Sequence, residues 1–207
     1  AEDCAAARIP VMVAHVTRGN APPHVSERGI ERWARSGAHA SALGVRIALE
    51  TMESAPHVRA LADSLDASVF GICYDAGHAQ AYTPHEDWLT DYAGRIFAVH
   101  LHDNPGKTAP GLPDTRDDTH YLPSDGVRDW RAAMHALARA RYRGALTLEI
   151  RRGRAVCPQR PDYAALGQRA FLDEAYRRAR RLGEEFARAA EFYKRIRNTD
   201  GAAPSET

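Results

Sequence analysis

Ionisable side chains stand at the ends of five short apolar segments of the sequence. Each segment is rich in Val, Ile, Leu and Phe, where a buried strand would otherwise continue. The terminal residues are His15, Glu50, Asp75, the pair His100 and His102, and Glu149. Any one of them alone is typical of an ordinary strand end in solvent. The repetition over five consecutive segments instead favours one shared site.

Carboxylates and imidazoles placed together in this way could bind a divalent cation. Burying a carboxylate without a partner costs several kcal/mol, so three carboxylates beside imidazoles need a compensating charge. Two Glu, one Asp and one His would make an oxygen-rich site with one nitrogen. That donor set suits Mn²⁺, Mg²⁺, Co²⁺ or Zn²⁺ rather than a thiolate-preferring ion.

The elements that must position these residues alternate between strand and helix. The predicted strands are 11–16, 46–51, 69–75, 96–103 and 145–150, and the predicted helices are 26–43, 56–65, one capped by Thr83, 128–140 and a long one within 161–197. Alternation of this kind predicts a parallel sheet, whose sites lie at the carboxyl ends of the strands. Because side chains alternate along a strand, His100 and His102 should point inward together, while Val99 and Leu101 pack outward.

The expected fold is α/β, a (β/α)₈ TIM barrel that is partial, with about five βα units present. No G-x-G-x-x-G motif follows a strand, so a dinucleotide-binding fold lacks its signature. A complete barrel takes about 250 residues, so we expect the three N-terminal units to be missing from this chain. A fragment, a truncated gene product and a partial barrel completed by another chain all remain open, as does assembly into a homo-oligomer.

The composition limits the domain organisation, the kinds of binding surface and the location to be expected. The 207 residues include 28 Lys and Arg against 27 Asp and Glu, a net charge of +1, and 44% hydrophobic residues. We expect one domain over residues 1–197 and a disordered tail over 198–207. The charge balance gives no support for a nucleic-acid or membrane surface. Three widely spaced cysteines (Cys4, Cys73 and Cys157) and the absence of a signal-like start favour a reducing, cytoplasmic location.

Five motifs resemble, in their order, the xylose isomerase-like TIM-barrel superfamily. They are ALETM at 48–52, GICYDAGHA at 71–79, VHLHDN at 99–104, DTHYLPSDGVRDW at 118–130 and GALTLEI at 144–150. The superfamily includes sugar-phosphate isomerases and epimerases, inosose dehydratases, ketose 3-epimerases and zinc-dependent apurinic-site endonucleases. The resemblance spans about residues 8 to 152. Ser124 departs from the usual P-G-E-G turn, and His102 stands where sugar-acting relatives often carry Lys.

The resemblance implies roles for nine residues. The implied metal ligands are Glu50, Asp75, His100 and Glu149. The implied acid and base are Glu50 and Glu149, one on each face of the substrate. Substrate binding or a second metal is implied for His15, His78, His102, Asp118 and His120. In the endonuclease branch, positions equivalent to most of these hold additional zinc ions.

The resemblance further implies a metal-dependent isomerase or epimerase. Its substrate would be a sugar, a sugar phosphate or a polyol, and its reaction would be proton abstraction next to a carbonyl through a metal-stabilised enediolate. The first alternative is a zinc-dependent apurinic-site endonuclease, which would need a basic surface that a net charge of +1 disfavours. The second alternative is an inactive partial barrel. The expected partner is therefore a small molecule, with no membrane and without nucleic acid.

Overall fold

A computed structural model describes residues 1–17, 22–107, 117–152 and 163–200. Its centre is a parallel sheet of five strands in the order β1 to β5. The strands are β1 Val11–Ala14, β2 Arg46–Glu50, β3 Phe70–Asp75, β4 Ile96–Leu101 and β5 Thr147–Leu148. The sheet curls into half of a barrel with helices on its outer side, which confirms the predicted partial TIM barrel.

Seven α-helices are described, besides a short 3₁₀ helix at Tyr163–Ala165. They are α1 Glu2–Ala6, α2 Glu27–Ala42, α3 Ala55–Ser64, α4 Ala76–Ala81, α5 Trp88–Asp91, α6 Trp130–Arg139 and α7 Gln168–Asp200. Local capping explains where two of the longer ones begin. The Ser26 hydroxyl accepts from the amide of Gly29 before α2, and the Asp129 carboxylate accepts from the amide of Ala132 before α6.

The helix predicted to begin after Thr83 begins later. Asp87 is its N-cap and accepts a hydrogen bond from the Thr90 amide at 3.2 Å. Thr83 is buried, and its hydroxyl accepts from the Trp88 indole at 3.0 Å. Because that hydroxyl is engaged by a side chain, it does not cap the helix, and the prediction at this position was wrong.

The last strand is shorter than predicted but keeps its register. Only Thr147 and Leu148 pair with β4, opposite His100 and Leu101. The Glu149 amide then donates to the Leu101 carbonyl at 3.2 Å, so the chain continues along β4 for one further residue. Glu149 is therefore held at the carboxyl edge of the sheet, as the motif predicted.

The core lies between the outer face of the sheet and the helices. Ile47, Leu49, Ile72, Val99 and Leu101 are all essentially inaccessible to solvent and join one apolar cluster with α2, α3 and α6. The residues that alternate with them on β2 and β4, which include Glu50 and His100, therefore face the barrel interior. This confirms the predicted alternation.

The long helix α7 packs along α6. Its arginines at 177, 178, 180 and 181 precede Glu184 and Glu185, a charge pattern typical of a solvated face. Arg178 instead lies half-buried, with Nη1 2.8 Å from Asp125 Oδ1 and Nε donating to Glu174 Oε1 at 2.7 Å. The helix ends at Asp200, inside the segment 198–207 that was predicted as a tail.

Some expectations concern residues that the structure does not describe. Residues 201–207 of the predicted tail, and Cys157, lie outside the described ranges. Cys4 and Cys73 are both free thiols. Over the described ranges, no helix combines the length and apolar character that a bilayer crossing requires.

Candidate metal centre

Four side chains meet at the carboxyl edge of the sheet, and we call them the first cluster: Glu50, Asp75, His100 and Glu149. One donor atom of each lies within 4.8 Å of the others. His100 Nδ1 lies 3.0 Å from Glu149 Oε2, 3.3 Å from Glu50 Oε1 and 3.7 Å from Asp75 Oδ2. They come from the ends of four neighbouring strands, so the sheet register sets their spacing.

Burial and neighbouring charges shift the pKa values of carboxylates in this cluster. Glu50 and Asp75 are 2% and 0% exposed, whereas 42% of the Glu149 side chain is accessible. Burial opposes the charge on Asp75, but hydrogen bonding to His102 and nearby imidazoles hold the pKa of Asp75 below its usual value. The imidazole of His100, whose Nδ1 lies 3.0 Å from Glu149 Oε2, likewise lowers the pKa of Glu149. Both carboxylates are thus kept ionised and ready to bind a cation.

A second group lies beside the first, and we call it the second cluster: His78, His102, Asp118 and His120. His120 Nε2 lies 3.1 Å from Asp118 Oδ1, and His78 Nε2 lies 3.7 Å from Asp118 Oδ2. Burial alone lowers the pKa of His78, but Asp118, Asp75 and Glu50 outweigh it and raise that pKa to about 9. Burial raises the pKa of Asp118 less than the two imidazoles lower it.

His78 and His120 share a ring orientation that suits metal ligands. Nδ1 of His78 donates to the Thr51 carbonyl at 3.0 Å, and Nδ1 of His120 donates to the Glu149 carbonyl at 2.9 Å. Each ring therefore turns its Nε2 toward Asp118, at 3.2 Å from Oδ2 for His120, and that nitrogen can exchange its proton for an ion while Nδ1 keeps the ring in place. Metal-binding histidines typically use their second nitrogen in this way.

His15 sits apart from the second cluster. It follows β1 on the rim, with 60% of its side chain exposed, and its Nε2 lies 3.1 Å from Glu50 Oε2. The structure thus places His15 beside the first cluster, on its open side. All nine residues singled out in the sequence lie at this one end of the sheet.

Two buried oxygens test whether a cation fits the clusters. Glu149 Oε2 and Asp118 Oδ1 are inaccessible and form no hydrogen bond within the described residues, although an imidazole nitrogen lies about 3 Å from each. The nitrogen and oxygen in each pair are close but not aligned for a hydrogen bond, so each pair can converge on a third atom. Oxygen and imidazole donors in this arrangement fit a divalent ion such as Zn²⁺ or Mn²⁺.

Sequence reasoning missed two residues that hold the site together. Thr51 is fully buried; its hydroxyl accepts from the Asp75 amide at 3.0 Å and its carbonyl accepts from His78. Asp103 accepts from the Ser124 amide at 2.9 Å and from the Trp130 indole at 2.8 Å. Both positions fall inside the quoted motifs, directly after Glu50 and His102, and that proximity was the available signal.

The turn that departs from the family pattern keeps an unusual backbone. Ser124 has φ +77°, a conformation that favours glycine, and His120 has φ +49°. Gly126 in the same turn cannot be replaced easily, because a Cβ there would lie 1.9 Å from Asp103 Oδ1. The turn therefore closes tightly around Asp103, with strain at Ser124.

Comparison with known proteins agrees with the fold. The family model described as xylose isomerase-like TIM barrel matches residues 1–175. The chain therefore belongs to the xylose isomerase-like TIM-barrel family. A curated relative, the uncharacterized protein y4fM of Sinorhizobium fredii (strain NBRC 101917 / NGR234), is 33% identical over 161 residues, 73% of this chain. The chain spans 45% of that relative's length.

Solved structures share the fold at lower identity. The IOLI protein with a bound zinc atom superposes with a TM-score of 0.64 at 19% identity, over 91% of this chain and 66% of that one. The D-psicose 3-epimerase of Clostridium cellulolyticum H10, solved with D-tagatose, gives a TM-score of 0.57 at 14% identity, over 81% of this chain and 59% of that one. At these identities the likeness establishes the fold alone.

Proposed function

We propose that this chain carries the metal and acid–base centre of a divalent-metal-dependent isomerase or epimerase acting on a sugar, a sugar phosphate or a polyol. The observation that carries the proposal is the first cluster. Glu50, Asp75, His100 and Glu149 offer donor atoms within 4.8 Å of one another at the carboxyl edge of a partial TIM barrel. Solved neighbours of the same fold include sugar epimerases and a zinc-bound protein.

The two glutamates would divide the proton transfers. Glu50 is buried and held between His100 and His15, whereas Glu149 is half-exposed at the end of β5. Glu149 is therefore the carboxylate that solvent and substrate reach more freely. A bound divalent ion would supply Lewis-acid polarisation of a substrate carbonyl and hydroxyl. Glu149 would then take or return the proton on one face of the carbon, and Glu50 would serve the other.

The experiment is hydrogen exchange at the carbon next to a ketose carbonyl. The metal-loaded protein, with whatever precedes Ala1 in its gene, is incubated with a panel of ketoses in D₂O and deuterium incorporation is measured. Glu149→Gln should abolish exchange while leaving the circular dichroism spectrum unchanged. Glu184→Gln is the matched control, because Glu184 is an exposed partner of Arg180 on α7. Exchange at the wild-type rate in Glu149→Gln would remove Glu149 from the reaction.

A second candidate function is favoured by the second cluster. His78, Asp118 and His120 beside the first cluster, with His15 on the rim, would suit a zinc-dependent endonuclease acting at abasic sites. Three zinc ions per chain together with cleavage of an abasic duplex would support this alternative. One or two ions with ketose exchange would support the isomerase. Metal binding without either activity would indicate an inactive partial barrel.

A further inference from the structure

We infer that His102 is a positioning residue that holds the Asp75 carboxylate, and that it does not bind the second metal despite its place in the second cluster. The inference rests on the proposed function, because it concerns how the two metal sites are built. It assigns the second site three protein ligands: His78, Asp118 and His120. Such a site keeps an open position for water or for a substrate oxygen.

The hydrogen bonds of the ring separate His102 from its neighbours. His78 and His120 each donate from Nδ1 to a backbone carbonyl. Their rings therefore stay anchored when Nε2, which for His120 lies 3.2 Å from Asp118 Oδ2, gives up its proton to an ion. His102 is the reverse: its Nε2 lies 2.9 Å from Asp75 Oδ1 and 3.2 Å from Oδ2. An ionised carboxylate only accepts hydrogen bonds, so His102 Nε2 carries the proton and offers no lone pair.

The surroundings of His102 do not stabilise the opposite tautomer, in which Nδ1 carries the proton. For Nε2 to bind an ion, the proton would have to move to Nδ1, which is buried and has no hydrogen-bond partner in the described part of the chain. Leaving a buried donor unsatisfied costs about 1 to 3 kcal/mol. The edge of the ring that carries Cε1 and both nitrogens packs directly against Gly77, where a Cβ would come within 1.9 to 2.6 Å of these atoms.

The ring has no room to turn. His102 is 0% exposed, stacks on His120 with ring centroids 4.0 Å apart and an interplanar angle of 10°, and meets His78 edge-on at 5.6 Å. Its Nε2 is 3.9 Å from Asp118 Oδ1, farther than that of His120. The packing therefore fixes Nε2 on Asp75.

The consequence for Asp75 is a fixed orientation of its carboxylate. The His78 amide donates to Oδ1 at 2.7 Å, and His102 Nε2 lies 2.9 Å from Oδ1 and 3.2 Å from Oδ2. Oδ2 also lies 3.7 Å from His100 Nδ1, at the edge of the first cluster. His102 thus holds the Asp75 carboxylate where it can bind the ion of the first cluster. Removing such an orienting partner typically weakens metal affinity 10–100-fold.

The test measures one metal site at a time, in variants where a substitution disables the other site. In Asp118→Asn, which disables the second cluster, chelator competition measures Co²⁺ affinity at the first cluster alone. There, His102→Leu should weaken binding about 10–100-fold. His102→Gln should restore it to within a few-fold, because the glutamine amide is a hydrogen-bond donor of similar reach. In a His100→Leu background, both His102 variants should keep one Co²⁺ at the second cluster with an unchanged visible spectrum.

Other outcomes overturn the inference. If His102→Leu and His102→Gln both lose the ion of the second cluster and leave the first-cluster affinity unchanged, His102 is a ligand. If His102→Leu, folded by circular dichroism, changes neither site, His102 positions nothing. Failure of the parent protein to bind any Co²⁺ would instead refute the proposed function, so the two failures are distinguishable.

Discussion

Replacing Gly77 by alanine should destabilise the protein through a single contact. A Cβ at this position would lie 1.9 Å from His102 Cε1 and 2.3 Å from Nδ1. The ring cannot retreat, because it is fully buried and stacked on His120. Either helix α4 shifts or His102 leaves Asp75.

The size of the effect follows from three contributions. Overpacking a buried site costs about 1 to 3 kcal/mol. Loss of a hydrogen bond to a charged group costs about 1.5 to 3 kcal/mol. Alanine is favoured over glycine in a helix by about 1 kcal/mol, which offsets part of this. The net expectation for Gly77→Ala is a loss of about 2 to 5 kcal/mol in the free energy of unfolding.

The assay is urea unfolding of the metal-free protein, followed by far-ultraviolet circular dichroism. Gly183→Ala is the matched control, since Gly183 also lies within a helix and a Cβ there would meet no atom within 4 Å. The control should be as stable as wild type or gain up to about 1 kcal/mol. If Gly77→Ala unfolds at the same urea concentration as Gly183→Ala, His102 does not occupy the described position.

Three further predictions concern the turn, the last helix and the response to pH. Ser124→Gly should raise the free energy of unfolding by about 1 kcal/mol, because φ at this residue is +77°; a less stable variant in urea would contradict the strain. Arg178→Ala should cost about 1 to 2 kcal/mol by loss of its half-buried pair with Asp125, whereas Arg180→Ala, at an exposed pair, should cost less than about 0.5 kcal/mol; equal losses in urea would refute the distinction. Acidic neighbours outweigh burial and raise the pKa of His78 from 6.5 to about 9. Its contribution to the stability of the metal-free protein should therefore be complete below pH 6.5 and lost as the pH rises through 9. Thermal unfolding against pH should show that loss in wild type but not in His78→Gln, and identical profiles would contradict it.

The position of the first cluster could be predicted because it depends on features that the sequence shows directly. Glu50 and Asp75 each end an apolar strand, and parallel strands bring their carboxyl ends to one edge. The alternation of side chains along a strand then predicted that His100 and His102 point inward, and both do. These inferences need only the strand boundaries and the parallel pairing, both of which the apolar runs indicate.

The remaining features depend on contacts between residues far apart in the chain. Nothing near His102 in sequence shows that its Nε2 meets Asp75 while its ring stacks on His120. Thr83 carries a good capping pattern, but a tertiary hydrogen bond from Trp88 engages its hydroxyl instead. Arg178 looks like its solvated neighbours until Asp125 is placed beside it. In each case tertiary structure decides between roles that the local sequence allows equally.

A metal count on the first cluster tests most directly whether its four side chains share a cation. The metal-free wild-type protein and His100→Leu, both folded by circular dichroism, are dialysed against Mn²⁺ and then analysed for metal per chain by mass spectrometry. Wild type should retain one more ion per chain than His100→Leu. Equal metal content in the two proteins, or a folded wild type that retains none, would show that Glu50, Asp75, His100 and Glu149 do not share a cation.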